Sequence, residues 1–262
     1  NPPIVRASTI IFKSMQDIRK TQDKAKKNPV GGHFDYGRQG TSTTHILQQI
    51  LSKLEESYFT FLTPTGFGAV FLSIFSVTRP GDEIIAADPV YSPTRLLTQD
   101  FLKEFNIKTT FYDPHDLKTL EKAITKKTKL IFVENPGSNT FDFQDLGKIV
   151  SIAKKHKILT AIDNTWGTPY FLKPIKLGFD MSIVSATKYY SGHSDVMGGS
   201  LAVNKKIFAK VKAAERVTGL RLGPDDAYLI TRGLRTLDVR LDRHRENEKK
   251  IAEFLSKFKN IK

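Results

Sequence analysis

The run Ser185-Ala186-Thr187-Lys188-Tyr189-Tyr190-Ser191-Gly192-His193 sets one lysine among small and hydroxylated side chains, after an apolar stretch and before a glycine. That setting predicts an amine held in a pocket rather than a solvated surface charge. A desolvated lysine gives up its proton readily, and a neutral amine can form a Schiff base. The hydroxyls of Ser185 and Thr187 stand beside it and can reach an anion. Pyridoxal phosphate is the cofactor that uses such a lysine with a phosphate site next to it.

Three further segments fit that chemistry. Thr65-Gly66-Phe67-Gly68-Ala69 follows a strand-like run and opens a helix-like one. The free amides of Gly66 and Phe67 at a helix N-terminus form an anion site, although an ordinary strand-to-helix turn reads the same way. No lysine with serine or threonine follows the second glycine, so it is not a Walker loop. Ile158 to Ile162 is an apolar run ending in Asp163, which could pair with a pyridinium nitrogen or simply cap a turn. Asp88-Pro89-Val90-Tyr91 follows another such run, and Tyr91 could stack on a planar ring or pack as a half-buried loop tyrosine. Together the four segments fall at the ends of strand-like runs, where a single ligand could touch all of them.

The elements that must position them alternate. Strands are expected at 58–62, 83–87, 108–112, 129–133, 158–162, 181–185 and 200–203, and helices at 68–77, 92–104, 116–123, 144–155 and 205–216. Short apolar runs alternating with helices predict an α/β fold with a mostly parallel sheet flanked by helices. An irregular N-terminal arm is expected over residues 1–45, a cofactor-binding domain over 46–225, and one long charged helix from 226 that begins a further domain before the chain stops at 262.

Composition narrows the class. The 41 lysines and arginines exceed the 27 acids, giving a net charge of +14. The lysines interleave with apolar residues at helical spacing, as around Ile149, Ile152 and Ala153, which describes solvated helix faces better than a nucleic-acid surface. No apolar run has transmembrane length, and no secretory leader is expected. Without cysteine there are no disulfides or thiolate metal sites, and a cytoplasmic location is the default expectation. The six histidines have no metal-binding spacing, so no metal is expected, and His193 is expected to be structural. The start without methionine and the stop at Lys262 predict a piece of a longer chain.

On these residues the sequence resembles the Cys/Met metabolism family of pyridoxal-phosphate enzymes, which has the aspartate aminotransferase-like fold (fold type I), and the resemblance covers essentially the whole chain. Ser185-Ala186-Thr187-Lys188-Tyr189 followed by Gly192-His193-Ser194-Asp195 is the most specific match. The resemblance implies that Lys188 carries the cofactor covalently. It implies that Ser185, Thr187 and the amides of Gly66 and Phe67 bind the phosphate, that Asp163 pairs with the pyridinium, and that Tyr91 stacks on the ring. Tyr36-Gly37-Arg38 matches a tyrosine and arginine that reach the phosphate of a neighbouring subunit, so a homo-oligomer, a dimer of dimers, is implied. Tyr36, with Lys188, Tyr91 and Asp163, is also an expected catalytic residue.

Gly37-Arg38-Gln39-Gly40-Thr41, Pro136-Gly137-Ser138 and Trp166 are similar to the cystathionine β-lyase branch. The reaction so implied is β-elimination from an amino-acid substrate, L-cystathionine. The alternatives are γ-elimination or γ-replacement, racemisation of a small amino acid, or an inactive fragment. A further domain carrying an arginine that clamps the substrate carboxylate is expected beyond residue 262, and a product ending there is expected to have lost most of its activity.

Overall fold

The computed structural model describes residues 2–261; Asn1 and Lys262, the outer ends of the first and third expected segments, lie outside the described residues. Seven strands form one sheet: β1 (Phe59–Thr63), β2 (Glu83–Ala87), β3 (Lys108–Tyr112), β4 (Thr128–Glu134), β5 (Leu159–Asp163), β6 (Met181–Val184) and β7 (Gly199–Val203). Their spatial order is β1-β7-β6-β5-β4-β2-β3. β7 runs antiparallel to both neighbours and the other paired strands run parallel. The mostly parallel α/β sheet expected from the sequence is present.

Burial explains why those strands read as apolar runs. β2 (Glu83–Ala87), β6 and β7 are covered on both faces, and parallel sheets need helices on each side. Alternate side chains enter two cores. Phe61, Met181 and Ile183 join the larger one, whereas Leu62 and Val184 join a smaller one with Leu47, Leu51, Tyr190, Ile230 and Leu241.

The helices are α1 (Met15–Lys27), α2 (Ser42–Leu54), α3 (Gly66–Phe75), α4 (Ser92–Leu96), α5 (Leu102–Glu104), α6 (Leu117–Ala123), α7 (Leu146–His156), α8 (Thr168–Phe171), α9 (Pro174–Leu177), α10 (Phe208–Thr218), α11 (Pro224–Leu234) and α12 (Leu237–Leu255). A π-helical turn at Leu97–Phe101 joins α4 to α5, so the expected helix over 92–104 is one run with a widened middle. Caps set the boundaries: Asp116 accepts from the Lys118 amide at 3.0 Å and Asp145 from the Lys148 amide at 3.0 Å. On α7 the lysines Lys148, Lys154 and Lys155 are exposed while Ile149, Val150 and Ala153 are buried, as a solvated helix face requires.

Three expectations need correction. The arm before residue 45 is not wholly irregular: α1 forms there, with Ser14 accepting from the Asp17 amide, although none of its residues is buried. The boundary at 45/46 falls inside α2, which packs on β1 and α11. The long helix over 226–258 is two helices, broken near Arg235. The Gly233 carbonyl there accepts from the Thr236 amide at 3.2 Å and from the Arg240 guanidinium at 2.9 Å, where α11 ends and before α12 begins.

Candidate active site

Because β1, β6, β5, β4 and β2 share one direction, the segments that follow them emerge at one end of the sheet. Across that end lie Gly66 and Phe67, then Ser185 to Lys188, then Asp163, then Glu134, then Tyr91. Four of the segments picked from the sequence therefore share one end of the sheet. This is the usual place for a ligand in an open α/β sheet.

The anion end is built by α3 and the segment after β6. Thr65 caps α3 by accepting from the Gly68 amide at 2.9 Å, and the preceding Gly66 and Phe67 amides have no acceptor within the helix. Gly66 is required by close approach: a Cβ there would lie 2.5 Å from Ser185 Oγ. Gly199, opening the reversed strand β7, sits against the Thr65 carbonyl in the same way. The Ser185 hydroxyl thus faces the two free amides and a helix N-terminus, a ready anion cradle. Thr187 also has partners within its own loop. Its hydroxyl donates to the Gly198 carbonyl at 3.2 Å and accepts from the Gly198 amide at 3.1 Å, so it ties its own loop together.

The lysine loop is locked at the backbone and open at the side chain. The Ser185 amide donates to Thr165 Oγ1 at 2.8 Å, and the Ser191 amide to the Ala186 carbonyl at 3.0 Å. Tyr190 is fully buried and its hydroxyl donates to Glu55 at 3.4 Å. Lys188 itself is exposed. Among the described residues its side chain is therefore not enclosed as the sequence led one to expect.

At the ring end, Asp163 accepts from the Thr165 amide at 2.9 Å, and burial among its neighbours pushes its carboxyl above the usual range. Tyr91 is about half exposed. Trp166, also exposed, meets Phe141 edge-on at 5.0 Å between ring centres and Tyr189 at 6.4 Å. Tyr36 and Arg38 are not brought to Lys188. Arg38 lies 5.7 Å from the Tyr36 ring centre and donates to the Arg216 carbonyl at 3.0 Å, at the end of α10.

Sequence reading missed four residues that shape the site. Glu134 accepts from the Tyr91 amide at 2.6 Å. Arg240 donates to the Tyr189 carbonyl at 2.8 Å, and Gly233 lets the Tyr190 and Ser191 carbonyls approach α11. Glu55 is fully buried beneath Tyr190. Only Glu134 had a local signal, standing at a strand end two residues before Pro136; the others act across long sequence distances.

The family model described as Cys/Met metabolism PLP-dependent enzyme matches residues 1–262. The chain belongs to that family. A cystathionine beta-lyase of Haemophilus influenzae is 36% identical over 265 residues, all of this chain and 66% of the relative. An L-alanine/L-glutamate racemase of Wolbachia pipientis is 33% identical over 267 residues, again all of this chain and 66% of the relative. The crystal structure of cystathionine gamma-lyase from Lactobacillus plantarum complexed with L-serine superposes with a TM-score of 0.87 at 32% identity, over 97% of this chain and 63% of the other. The chain spans 62% of the length of one curated relative and 71% of another. Structural neighbours of this kind place the chain in PLP fold type I.

The site's own residues fit the family's cofactor. A Cβ on Gly66 would collide with Ser185, and without one the helix N-terminus of α3 comes against the Ser185 hydroxyl, donors of the kind a phosphate takes. Asp163 is a carboxylate raised by burial, with no ion pair among the described residues, and a pyridinium cation would supply one.

Proposed function

We propose that the protein cleaves L-cystathionine by β-elimination to homocysteine, pyruvate and ammonia, using pyridoxal phosphate bound through Lys188. The observation that supports the pyridoxal-phosphate chemistry is the row across one sheet end: anion cradle, lysine, carboxylate and Tyr91. When bound, pyridoxal phosphate supplies an electron-poor ring that takes up the electron pair left by removal of the substrate's α-proton. Ser185, Thr187 and the Gly66 and Phe67 amides would hold the phosphate, Asp163 would keep the ring nitrogen protonated, and Tyr91 would stack on the ring. The Lys188 amine would accept the α-proton, and Lys188 or Tyr91 would deliver a proton to the departing sulfur. With water, the overall products are homocysteine, pyruvate and ammonia.

In this reading Tyr36 and Arg38 serve the phosphate of a second copy of the chain, within a dimer of dimers. They stand away from their own Lys188, and both are exposed. The cofactor-binding domain, expected over 46–225, would take in the whole of α2 from Ser42, with the arm before it and the α12 region after it. The cysteine-free sequence suits the cytoplasm, and among the described residues no helix is long and apolar enough to cross a membrane. The β-lyase choice rests on Gln39-Gly40, Pro136-Gly137-Ser138 and Trp166.

A second reading uses the same residues for γ-elimination or racemisation, and a γ-lyase and a racemase among the similar proteins favour it. Incubating the purified protein with pyridoxal phosphate and L-cystathionine separates them. Pyruvate with homocysteine supports β-elimination, 2-oxobutyrate with cysteine supports γ-elimination, and loss of optical activity from L-alanine without either keto acid supports racemisation.

A further inference from the structure

Two carboxylates stand side by side at this end of the sheet, and they are used differently. Glu134 on β4 and Asp163 on β5 are partners in the parallel register, so their side chains leave the sheet on the same face. Both oxygens of Glu134 are engaged. One accepts from the Tyr91 amide at 2.6 Å and the other from the Ser138 hydroxyl. The loops it joins also touch directly: the Ser138 amide donates to the Pro89 carbonyl at 2.7 Å, and a Cβ on Gly137 would lie 2.7 Å from Pro89 Cγ. Gln144 fixes the base of the same loop, donating to the Glu134 carbonyl at 3.0 Å and to Asn135 Oδ1 at 2.8 Å. Asp163, by contrast, holds only the adjacent Thr165.

We infer that Glu134 is a positioning residue, tying the Tyr91 loop to the Ser138 loop and leaving Asp163 as the carboxylate available to a bound ring. The inference rests on the reading that pyridoxal phosphate binds between Lys188, Asp163 and Tyr91. Electrostatics agree with this division. Burial, and then the charge of Asp163, push the Glu134 carboxyl up to about 7, so the pair is poorly disposed to carry two negative charges without a cation beside it. A pyridinium against Asp163 supplies that cation, while Glu134 keeps its two donors.

The chain's one tryptophan, Trp166, stands three residues from Asp163, so its fluorescence reads cofactor binding without turnover. Pyridoxal phosphate is titrated into the purified wild type and into three variants, with thermal melts checking that each is folded. Glu134→Ala loses both loop contacts, and its affinity for pyridoxal phosphate is expected to fall roughly tenfold to hundredfold. Glu134→Gln keeps an acceptor for the Tyr91 amide and offers a donor to Ser138, and is expected to stay within about threefold of wild type. Glu134→Asp keeps the charge but withdraws it by one methylene, and is expected to bind as weakly as the alanine variant. If Glu134→Ala does not fold, the contrast between the glutamine and aspartate variants decides. Wild-type affinity in Glu134→Ala or Glu134→Asp, or an affinity in Glu134→Gln as low as in Glu134→Ala, overturns the inference. A wild type that shows neither a fluorescence change nor a visible absorbance with pyridoxal phosphate instead overturns the reading on which it rests.

Discussion

The loop from Ser185 to Gly198 and the arm from Pro2 to Thr41 are both surface segments, yet the fold treats them in opposite ways. The loop is stitched to β5 through Thr165, to itself through Thr187 and Gly198, to α12 through Arg240, and to Glu55 through Tyr190. The arm is pinned near its start, where the Val5 amide donates to Thr43 Oγ1 at 2.8 Å and Arg6 pairs with Asp225, and again where the Gly37 amide meets the Ser8 carbonyl at 3.0 Å. Between those points α1 buries nothing, and Ile11 and Met15 are exposed. The contrast separates chemistry the chain must aim for itself from chemistry that, in the proposed reading, it lends to another copy.

The largest expected effect breaks the loop side. Lys188→Ala should abolish turnover and remove the visible absorbance of bound pyridoxal phosphate, because no other amine takes that position. An active, coloured variant would end the assignment. Next comes the arm. Arg38→Ala should weaken retention of pyridoxal phosphate roughly tenfold to hundredfold, the value of a charge-assisted hydrogen bond. Mixed and reassembled with Lys188→Ala protein, it should regain retention of pyridoxal phosphate that Arg38→Ala lacks alone; a mixture that retains the cofactor no better than Arg38→Ala would show that the arm does not serve a neighbour.

The third test concerns the floor under the loop. Burial raises the Glu55 carboxyl to about 7, against 4.5 for the exposed group, with Ser182 and Tyr190 hydrogen bonds and Lys173 pulling the other way. The unfolded chain therefore ionises Glu55 at lower pH than the folded one does. The stability it contributes is complete below about 4.5 and is lost as pH rises to about 7, on the order of 3 kcal/mol in all. Glu55→Gln should flatten urea-unfolding stability across that window, and equal slopes in the two proteins would discard the idea. The smallest effect is expected from Arg240→Ala. Losing the donors to the Tyr189 and Gly233 carbonyls should cost roughly 2 kcal/mol and speed hydrogen exchange at the Ser191 and Gly192 amides. Unchanged exchange there would mean that the loop does not lean on α12.

Legibility followed the range of the forces involved. Strands 83–87 and 108–112 were readable to the residue, the first because burial on both faces writes an apolar run into the sequence, the second, an edge strand, from its threonines and aromatics. Lys188, Asp163, Gly66 and Tyr91 were singled out because each follows a strand-like run. Helix α2 escaped because Thr41 to Thr44 looks like loop sequence until Thr44 Oγ1 accepts from the Thr41 amide at 3.0 Å. The break at Arg235 depends on Arg240 and on the loop carbonyls packed above Gly233, which no local pattern announces. The exposure of Lys188 was missed for a related reason: the residue types near an amine tell what it can do, but not what lies over it.

The reversal of β7 has one more consequence. Tyr91 and Asp163 stand where strands launch into long excursions through helices before the chain re-enters the sheet. The lysine segment instead leaves β6 and comes straight back along β7, with Val184 opposite Ser200 in the ladder. Its two feet are planted side by side on the same floor, so it forms a stirrup rather than a tether. A stirrup of that length has little freedom left to surrender when a ligand arrives. The free energy of docking can then go into grip instead of into ordering the chain.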